Sequence, residues 1–255
     1  MKNYPNIPIK SKKEYTAFAR FYDKAMNKEK YQTWDDLIRE MVQKYSVPKG
    51  WCLDIACGTG QISKRLLEQG FKVVGVDKSK AMLEIAKKRA PKAEYLEADI
   101  RDFKANREFP LAVSFYDSLN YLLTDEDMLK TFKNVHAHLS KDGIFLFDMN
   151  TKDDLAVCQK MKPDIFKGKD YYFVFQHGGD GRKWVIDIEL FTKKKDGSYE
   201  RFHERHVERG YDDEDICPLL EKAGFDVLEV RRERRTSKER RKYFSRLYFV
   251  AKKRN

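Results

Sequence analysis

The sequence predicts an α/β protein with a mostly parallel sheet, and three patterns indicate that class. Between residues 51 and 149, short apolar runs alternate with segments of helical periodicity, which implies βαβ units with right-handed crossovers. The first apolar run leads into a tight turn at Gly58 and Gly60, where open α/β sheets bring backbone close to a ligand. From about residue 151 to 210 apolar and polar residues alternate, which predicts an antiparallel insert.

The N-terminal region, residues 1–50, is predicted to contain two helices that cover the core and pack against it. The second helix has one apolar stripe with i, i+3, i+4 spacing, and Pro48 and Gly50 end it. The stripe consists of Trp34, Leu37, Ile38, Met41, Val42 and Tyr45. The preceding piece, Tyr15–Asp23, is unusually rich in aromatic residues.

Residues 51–150 are predicted to form the core units of the sheet. The expected strands are Trp51–Ile55, Phe71–Val76, Ala93–Leu96, Leu111–Phe115 and Ile144–Met149. Helices connect most of these strands where apolar residues recur at helical spacing, and Gly70 and Pro91 end the first two.

Residues 151–210 are predicted to form a three-stranded antiparallel insert that caps the substrate. Alternating apolar side chains mark strands around residues 171–175 and 184–190, and a third run over 199–211 mixes apolar residues with charges. Glycine-containing turns separate the three strands, as expected for hairpins.

Residues 211–255 are predicted to complete the core sheet with a helix and an antiparallel pair, Phe225–Val230 and Leu247–Val250. The connection within this pair, Arg231–Arg246, has nine lysine and arginine residues against two glutamates. It is either a solvated hairpin tip or a surface that attracts an anionic acceptor.

Composition sets limits on the function. The chain has 255 residues and a formal charge of +11, and it lacks the long apolar stretch of a membrane span. Its first residues lack the apolar core of a secretory signal, and its four cysteines have no metal-ligand spacing. These features predict a cytoplasmic protein with reduced thiols, no metal centre and no membrane partner.

Three acidic residues stand at the ends of successive predicted strands: Asp54, Asp77 and Asp99. A carboxylate at the tip of the second strand can accept both ribose hydroxyls of a nucleoside. The phosphate-binding pattern G-x-G-x-x-G is incomplete because Ser63 stands at the third glycine position, and Asp54 would repel a pyrophosphate. These residues therefore favour a nucleoside cofactor with a cationic group and no phosphate.

At Leu53–Gly60 and Phe71–Asp77 the chain resembles the class I S-adenosylmethionine-dependent methyltransferases, and the likeness spans nearly the whole chain. The resemblance implies a Rossmann-like, seven-stranded, mostly parallel sheet with an antiparallel last strand and helices on both faces. It places the small antiparallel insert after the fifth strand. It also implies S-adenosylmethionine as the cofactor.

The same resemblance assigns residues to the cofactor. The expected cofactor-binding residues are Tyr22, Asp54, Ala56, Gly58, Gly60, Asp77, Lys78, Asp99 and Ile100. Among these, Asp54 would hold the amino group, Asp77 the ribose hydroxyls and Asp99 the adenine amino group. Ala56 stands where many members of the family have another glycine.

The segments that cover the site have candidate residues as well. Tyr15, Phe18 and Tyr22 resemble the aromatic lid of small-molecule methyltransferases, with packing of a helix against the core as the alternative. His203 and His206 would lie on opposite faces of a regular strand, so that one is either a base on the inner wall or a surface histidine.

The end of the fourth core strand should adjoin the methyl group in this fold. Asp117 and Asn120 are therefore the first candidates for positioning the methyl acceptor, with loop capping as the alternative. Asp148 and Asn150, at the end of the fifth strand, have similar standing.

The sequence thus predicts a methyltransferase that acts on a nitrogen or oxygen atom of a small molecule. One alternative is methylation of RNA or another polyanion through residues 231–246, although few aromatic residues are interleaved with the basic ones. Another is a non-catalytic module that binds S-adenosylmethionine. A monomer and a homodimer are both compatible with the sequence.

Overall fold

Two sheets make up the fold, a large one in the core and a smaller one that covers one edge of it. The structure is a computed structural model, and it describes residues 10–25, 30–233 and 246–254. Most of the basic segment 231–246, the basis of the polyanion alternative, lies outside the described residues.

Strands and helices alternate through the core as predicted. In chain order the described strands are β1 (Lys10–Lys12), β2 (Trp51–Ile55), β3 (Lys72–Asp77), β4 (Glu94–Glu97), β5 (Phe109–Ser114), β6 (Leu139–Asn150), β7 (Asp164–Lys167), β8 (Tyr171–Gly179), β9 (Lys183–Lys193), β10 (Tyr199–Arg209), β11 (Phe225–Arg232) and β12 (Arg246–Lys253). The described helices are α1 (Tyr22–Ala25), α2 (Lys30–Lys44), α3 (Gln61–Glu68), α4 (Lys80–Arg89), α5 (Asp125–His138), α6 (Lys152–Cys158) and α7 (Asp213–Lys222). Short 3₁₀ turns cover Phe18–Arg20 and Ser118–Tyr121.

The core sheet has seven strands in the order β11-β12-β6-β5-β2-β3-β4. Strands β2 to β6 pair in parallel, whereas β12 is antiparallel to both β6 and β11. The predicted seven-stranded sheet with an antiparallel last strand is therefore confirmed. The strand order reverses between β2 and β5, so the carboxyl ends of these strands border the crevice in which ligands of open α/β sheets bind.

Helices cover both faces of this sheet because each presents one apolar stripe to it. On one face, α2 and α3 bury Trp34, Ile38 and Leu66 against the sheet. On the other face, α5 and α7 bury Phe132 and Leu220 in a second cluster. Burial of such side chains stabilises the fold by about 1.5–3 kcal/mol each.

The second sheet has five strands in the order β1-β10-β9-β8-β7, rather than the predicted three. The insert supplies four of them in antiparallel pairing, and β1 from the N-terminal region pairs in parallel with β10. Both unpredicted strands are edges: all four residues of β7 are exposed, and β1 consists of lysine and serine only. Neither has the apolar alternation by which a strand is recognised in a sequence.

The N-terminal region has one of its two predicted long helices. The second predicted helix is α2, whose Trp34, Ile38 and Met41 are fully buried. In place of the first, the aromatic piece forms a 3₁₀ turn and the single-turn α1. Its aromatic rings make tertiary contacts instead. Phe18, for example, packs edge-on against Phe173, with 5.5 Å between the ring centroids. No helix in the described ranges is both long and apolar enough to cross a membrane.

Candidate active site

The turn after β2 has three residues with a left-handed backbone: Ala56 at φ 53°, Gly58 at φ 53° and Gly60 at φ 76°. A Cβ atom on Gly60 would come within 2.9 Å of the Ala86 Cβ atom, so glycine is needed where α4 crosses the turn. A Cβ on Gly58 would meet no atom within 4 Å, because this residue borders open space. The turn therefore packs tightly on one side and leaves room for a ligand on the other.

A cavity of about 170 Å³, the first cavity, lies at the carboxyl ends of β2, β3 and β4. Asp77 lies in its wall and receives two backbone hydrogen bonds: Gly58 N–H donates to Oδ2 at 2.8 Å and Ser79 N–H to Oδ1 at 2.8 Å. Burial raises the pKa of Asp77. The two bonds fix the carboxyl group in the cavity wall and leave each oxygen a further lone pair.

The first cavity brings together seven of the nine residues predicted for the cofactor: Tyr22, Ala56, Gly58, Asp77, Lys78, Asp99 and Ile100. Gly60 and Asp54 are not among its lining residues. Asp54 lies behind the turn, where Ser63 Oγ donates to its Oδ2 at 2.5 Å, and burial raises its pKa to about 7. Asp54 and Gly60 therefore support the turn from behind in this structure.

Arg101 is a neighbour of Asp99 that sequence reasoning missed. Its guanidinium donates to both oxygens of Asp99, at 2.9 and 2.7 Å, and to Asp127 Oδ1 at 2.9 Å. This guanidinium holds the pKa of Asp99 below its ordinary value. All three side chains line the first cavity, so an arginine bridges two acids at the predicted adenine end.

A second cavity of about 300 Å³ lies between the core sheet and the second sheet. Four tyrosines line both cavities: Tyr15, Tyr22, Tyr116 and Tyr121. Two come from the N-terminal segment and two from the end of β5, and the ring centroids of Tyr15 and Tyr22 are 5.7 Å apart. The two cavities are therefore neighbours with a shared aromatic wall.

Buried ionic groups lie at the base of the second cavity. Arg246, the first residue of β12, donates to Asp117 Oδ1 at 2.5 Å and to Asp148 Oδ2 at 3.0 Å. Asp148 also accepts from Trp34 Nε1 at 3.0 Å and from the Asp117 backbone N–H at 2.9 Å. Burial raises the pKa of Asp148 to about 6. Of the two predicted acceptor residues, Asp117 thus lines the second cavity.

Asn120, the other predicted acceptor residue, lies outside both cavity walls. Its amide donates to the carbonyl oxygens of Asn150 at 3.0 Å and Arg209 at 2.7 Å, and its carbonyl accepts from Asn150 N–H at 3.0 Å. These three bonds tie the 3₁₀ turn after β5 to the ends of β6 and β10. The structure therefore places Asn120 as a brace behind the site.

A chain of polar groups connects the second sheet to the N-terminal segment. Glu204 Oε1 accepts backbone N–H groups of Thr16, Ala17 and Phe18, at 3.2, 2.5 and 2.9 Å. Its Oε2 lies 3.3 Å from His206 Nε2. A single buried carboxylate thus clamps the N-terminal segment onto β10.

His206 continues this chain on the inner face of β10. Its Nδ1 lies 3.0 Å from the Tyr121 hydroxyl, which is 2.5 Å from that of Tyr15. His203 points to the other face and contacts Asp187 at 2.7 Å, which confirms the predicted opposite orientation of the two histidines. His206 therefore belongs to the inner wall of the insert.

The groups that line the first cavity match those of an S-adenosyl ligand. Asp77 at the strand tip suits the ribose, and the open face of Gly58 lets a ligand approach the backbone. The apolar side chains of Met82 and Ile100 suit the adenine. Within the described ranges no cluster of three or more metal-ligating side chains occurs. The residues present fit a nucleoside ligand.

Comparisons with known proteins agree with this geometry. A family model described as a methyltransferase domain matches residues 52–143. YqeM of Bacillus subtilis, named as a methyltransferase, is 33% identical over 245 residues, which are 94% of this chain and 97% of YqeM. The dTDP-3-amino-3,4,6-trideoxy-alpha-D-glucopyranose N,N-dimethyltransferase of Streptomyces venezuelae is 31% identical over 183 residues, covering 64% of this chain and 77% of that enzyme.

Among solved structures, the crystal structure of an S-adenosylmethionine-dependent methyltransferase from Clostridium acetobutylicum has a TM-score of 0.78 to this chain at 26% identity. The match covers 93% of this chain and 96% of that one. Likeness along nearly the full length therefore extends from the sequence to the three-dimensional fold. With the strand order, the glycine turn and the ligand crevice in agreement, the chain belongs to the class I S-adenosylmethionine-dependent methyltransferase family, and S-adenosylmethionine is its cofactor.

Proposed function

We propose that the protein methylates a nitrogen or oxygen atom of a small molecule bound in the second cavity. The observation that carries this proposal is the wall of four tyrosines shared by the two cavities, because a ligand in each would meet there. A cavity of about 300 Å³ between two sheets suits a small molecule better than a polymer. The Streptomyces venezuelae relative, whose name gives an amino sugar as its substrate, supports the same class of acceptor.

In this proposal the residues of the first cavity hold the cofactor. Asp77 accepts the ribose hydroxyls with the lone pairs that its two backbone bonds leave free. Met82 and Ile100 give apolar surface to the adenine, and Asp99 with Arg101 forms the polar end of the same pocket. Gly58 lets the ligand approach the backbone because its open face has no side chain.

Bound S-adenosylmethionine supplies a methyl group on a positively charged sulfonium. The protein's own contribution is then position and exclusion of water. Tyr15 and Tyr22 close the cavities from the N-terminal side, and Asp117 faces the acceptor from the end of β5. Asn120 positions Asp117 indirectly, since it braces the turn that begins at this residue.

Calorimetry tests the cofactor part of this proposal. S-adenosylmethionine and S-adenosylhomocysteine should both bind the wild type. The Asp77→Ala variant should bind at least about 100-fold more weakly, because two hydrogen bonds to a charged acceptor are lost. The control Asp196→Ala removes an exposed carboxylate from a hairpin of the insert and should bind like the wild type. Wild-type affinity in Asp77→Ala would contradict the assignment.

Turnover tests the acceptor part. Release of S-adenosylhomocysteine is measured with a library of small amines, alcohols and phenols under single-turnover conditions. Methylation of at least one compound, abolished in Asp77→Ala, is the expected result. Binding of S-adenosylmethionine without transfer to any compound would favour the non-catalytic module instead.

A further inference from the structure

The second cavity has more acidic than basic groups. Arg246 is the one lysine or arginine among the described residues that line it, and its guanidinium already serves Asp117 and Asp148. Glu208 adds a third carboxyl group and forms no ion pair with a lysine or arginine in the described part of the chain. The remaining acid of the lining, Asp164, lies 3.6 Å from His177 Nε2. Asp117, Asp148 and Glu208 thus share one guanidinium, and this part of the site has a deficit of positive charge.

Glu208 belongs to β10, on the same inner face as Glu204 and His206, and is only 2% exposed. Asn150 Nδ2 donates to its Oε2 at 3.2 Å. Burial, and then the adjacent Asp117 carboxyl group, raise the pKa of Glu208 well above its ordinary value. Burial without a lysine or arginine partner therefore favours the protonated, neutral form of Glu208.

The rest of the wall is suited to a cation. The four shared tyrosines present ring faces and edges between the two cavities, and Phe18 and Trp184 line the second one. Aromatic rings attract ammonium groups, and a buried carboxylate strengthens that attraction. A neutral hydroxyl group would gain much less from the same surroundings.

We propose that the acceptor enters the second cavity as a primary or secondary ammonium ion, and that Glu208 is the counter-ion that selects it over a neutral alcohol. This inference rests on the proposed function and narrows it to N-methylation of an amine. The ammonium takes the place of the proton that burial favours on Glu208, and this proton is released to solvent.

The reaction then balances around Glu208. The acceptor nitrogen gives one N–H proton to the Glu208 carboxylate, which frees its lone pair. That lone pair forms the new N–C bond while the S–C bond of the sulfonium breaks and sulfur retains the electron pair. The product leaves as a methylated ammonium ion, and the proton on Glu208 returns to solvent.

Several titratable or charged groups face Glu208 from the elements around it. They are Asp117 and Tyr121 from the core, Tyr15 from the N-terminal segment, His206 from β10 itself and Arg246 from β12. The Glu208→Gln variant keeps all of them and keeps an acceptor for Asn150, so it isolates the charge.

The experiment compares amines with alcohols of the same shape on protein saturated with S-adenosylhomocysteine. Benzylamine is titrated against benzyl alcohol, and cyclohexylamine against cyclohexanol, by calorimetry at pH 7 in phosphate and in MOPS. At least one amine should bind about tenfold or more tightly than its alcohol, since it gains charge-assisted hydrogen bonds and ring contacts. The difference between the binding enthalpies in the two buffers should correspond to the release of up to about one proton per amine bound.

In Glu208→Gln the preference for the amine should fall by about tenfold and the proton release should disappear. Glu189→Gln is the matched control, because this glutamate pairs with Arg201 rather than lining either cavity. Equal affinity for amine and alcohol, no binding of any of the four probes, or an unchanged preference in Glu208→Gln would each overturn the inference. Failure of S-adenosylhomocysteine to bind the wild type would overturn the proposed function as well, so the two failures are distinguishable.

Discussion

The Glu204 clamp leads to a specific prediction about the N-terminal segment. In Glu204→Ala, the backbone N–H groups of Thr16, Ala17 and Phe18 lose their shared acceptor. An unsatisfied buried N–H costs about 1–3 kcal/mol, so the three together could cost up to about 9 kcal/mol. The segment will open to water before that cost is reached, because its end strand β1 is only three residues long.

We therefore expect local opening rather than global unfolding. A loss of about 3 kcal/mol in the opening free energy corresponds to about 100-fold faster amide exchange. Hydrogen–deuterium exchange followed by mass spectrometry on peptides over residues 10–25 measures it, with β6 as an internal reference. Cofactor affinity should fall in parallel, because Tyr15 and Tyr22 from this segment line the first cavity.

Two further variants make the test specific to the carboxylate. Glu204→Gln keeps a carbonyl oxygen for the three N–H groups and should recover most of the protection. Glu189→Ala removes a glutamate of the neighbouring strand and should leave residues 16–18 unchanged. Wild-type exchange of these amides in Glu204→Ala would refute the clamp.

Three other predictions concern the turn after β2. Ala56→Gly should raise the unfolding free energy measured in urea by roughly 0.5–1 kcal/mol, because the strain of a left-handed alanine that it relieves exceeds the backbone entropy that glycine costs. A lower urea midpoint of unfolding would contradict this. Gly60→Ala should destabilise by about 2 kcal/mol more than Gly197→Ala, since both have positive φ but only the former meets Ala86; equal losses would exclude the clash. Asp54 should lower the unfolding free energy by up to about 4 kcal/mol between pH 4 and 7, because the folded group keeps its proton to about pH 7 whereas its ordinary pKa is 3.8. Asp54→Asn should remove this part of the pH dependence and leave the part due to Asp148 and Glu208; a pH dependence equal to that of the wild type would argue against it.

Much of the core could be predicted from the sequence because its signals are local. The run Trp51–Ile55 is a strand in the structure with the predicted bounds. The helix predicted to end at Pro91 is α4, and the Ser79 hydroxyl caps its start by accepting from Met82 N–H. Apolar periodicity and caps are read over a few residues, so distant parts of the chain do not alter them.

The proposed acceptor site is harder to predict because it is assembled from distant segments. In the sequence, Glu208 is one of several charged residues in the run 199–211, and Arg246 is one of the nine basic residues in the segment 231–246. Their burial follows only from the pairing of β10 with β9 and of β12 with β6. Conversely, Asn120 stands where polar contact with a ligand was expected, yet backbone groups of β6 and β10 occupy its amide.

The position of Arg246 has a consequence for synthesis of the chain. Arg246, whose guanidinium pairs with Asp117 and Asp148, is the first residue of β12, and β12 lies between β6 and β11 in the sheet. Until this strand emerges from the ribosome, the nascent domain lacks both a central strand and the cation for two carboxylates, a deficit of about 3–5 kcal/mol for a broken buried pair. The proposed acceptor site should thus form only after residue 246 has emerged during co-translational folding, and ribosome-stalled chains that end before residue 246 should be sensitive to protease.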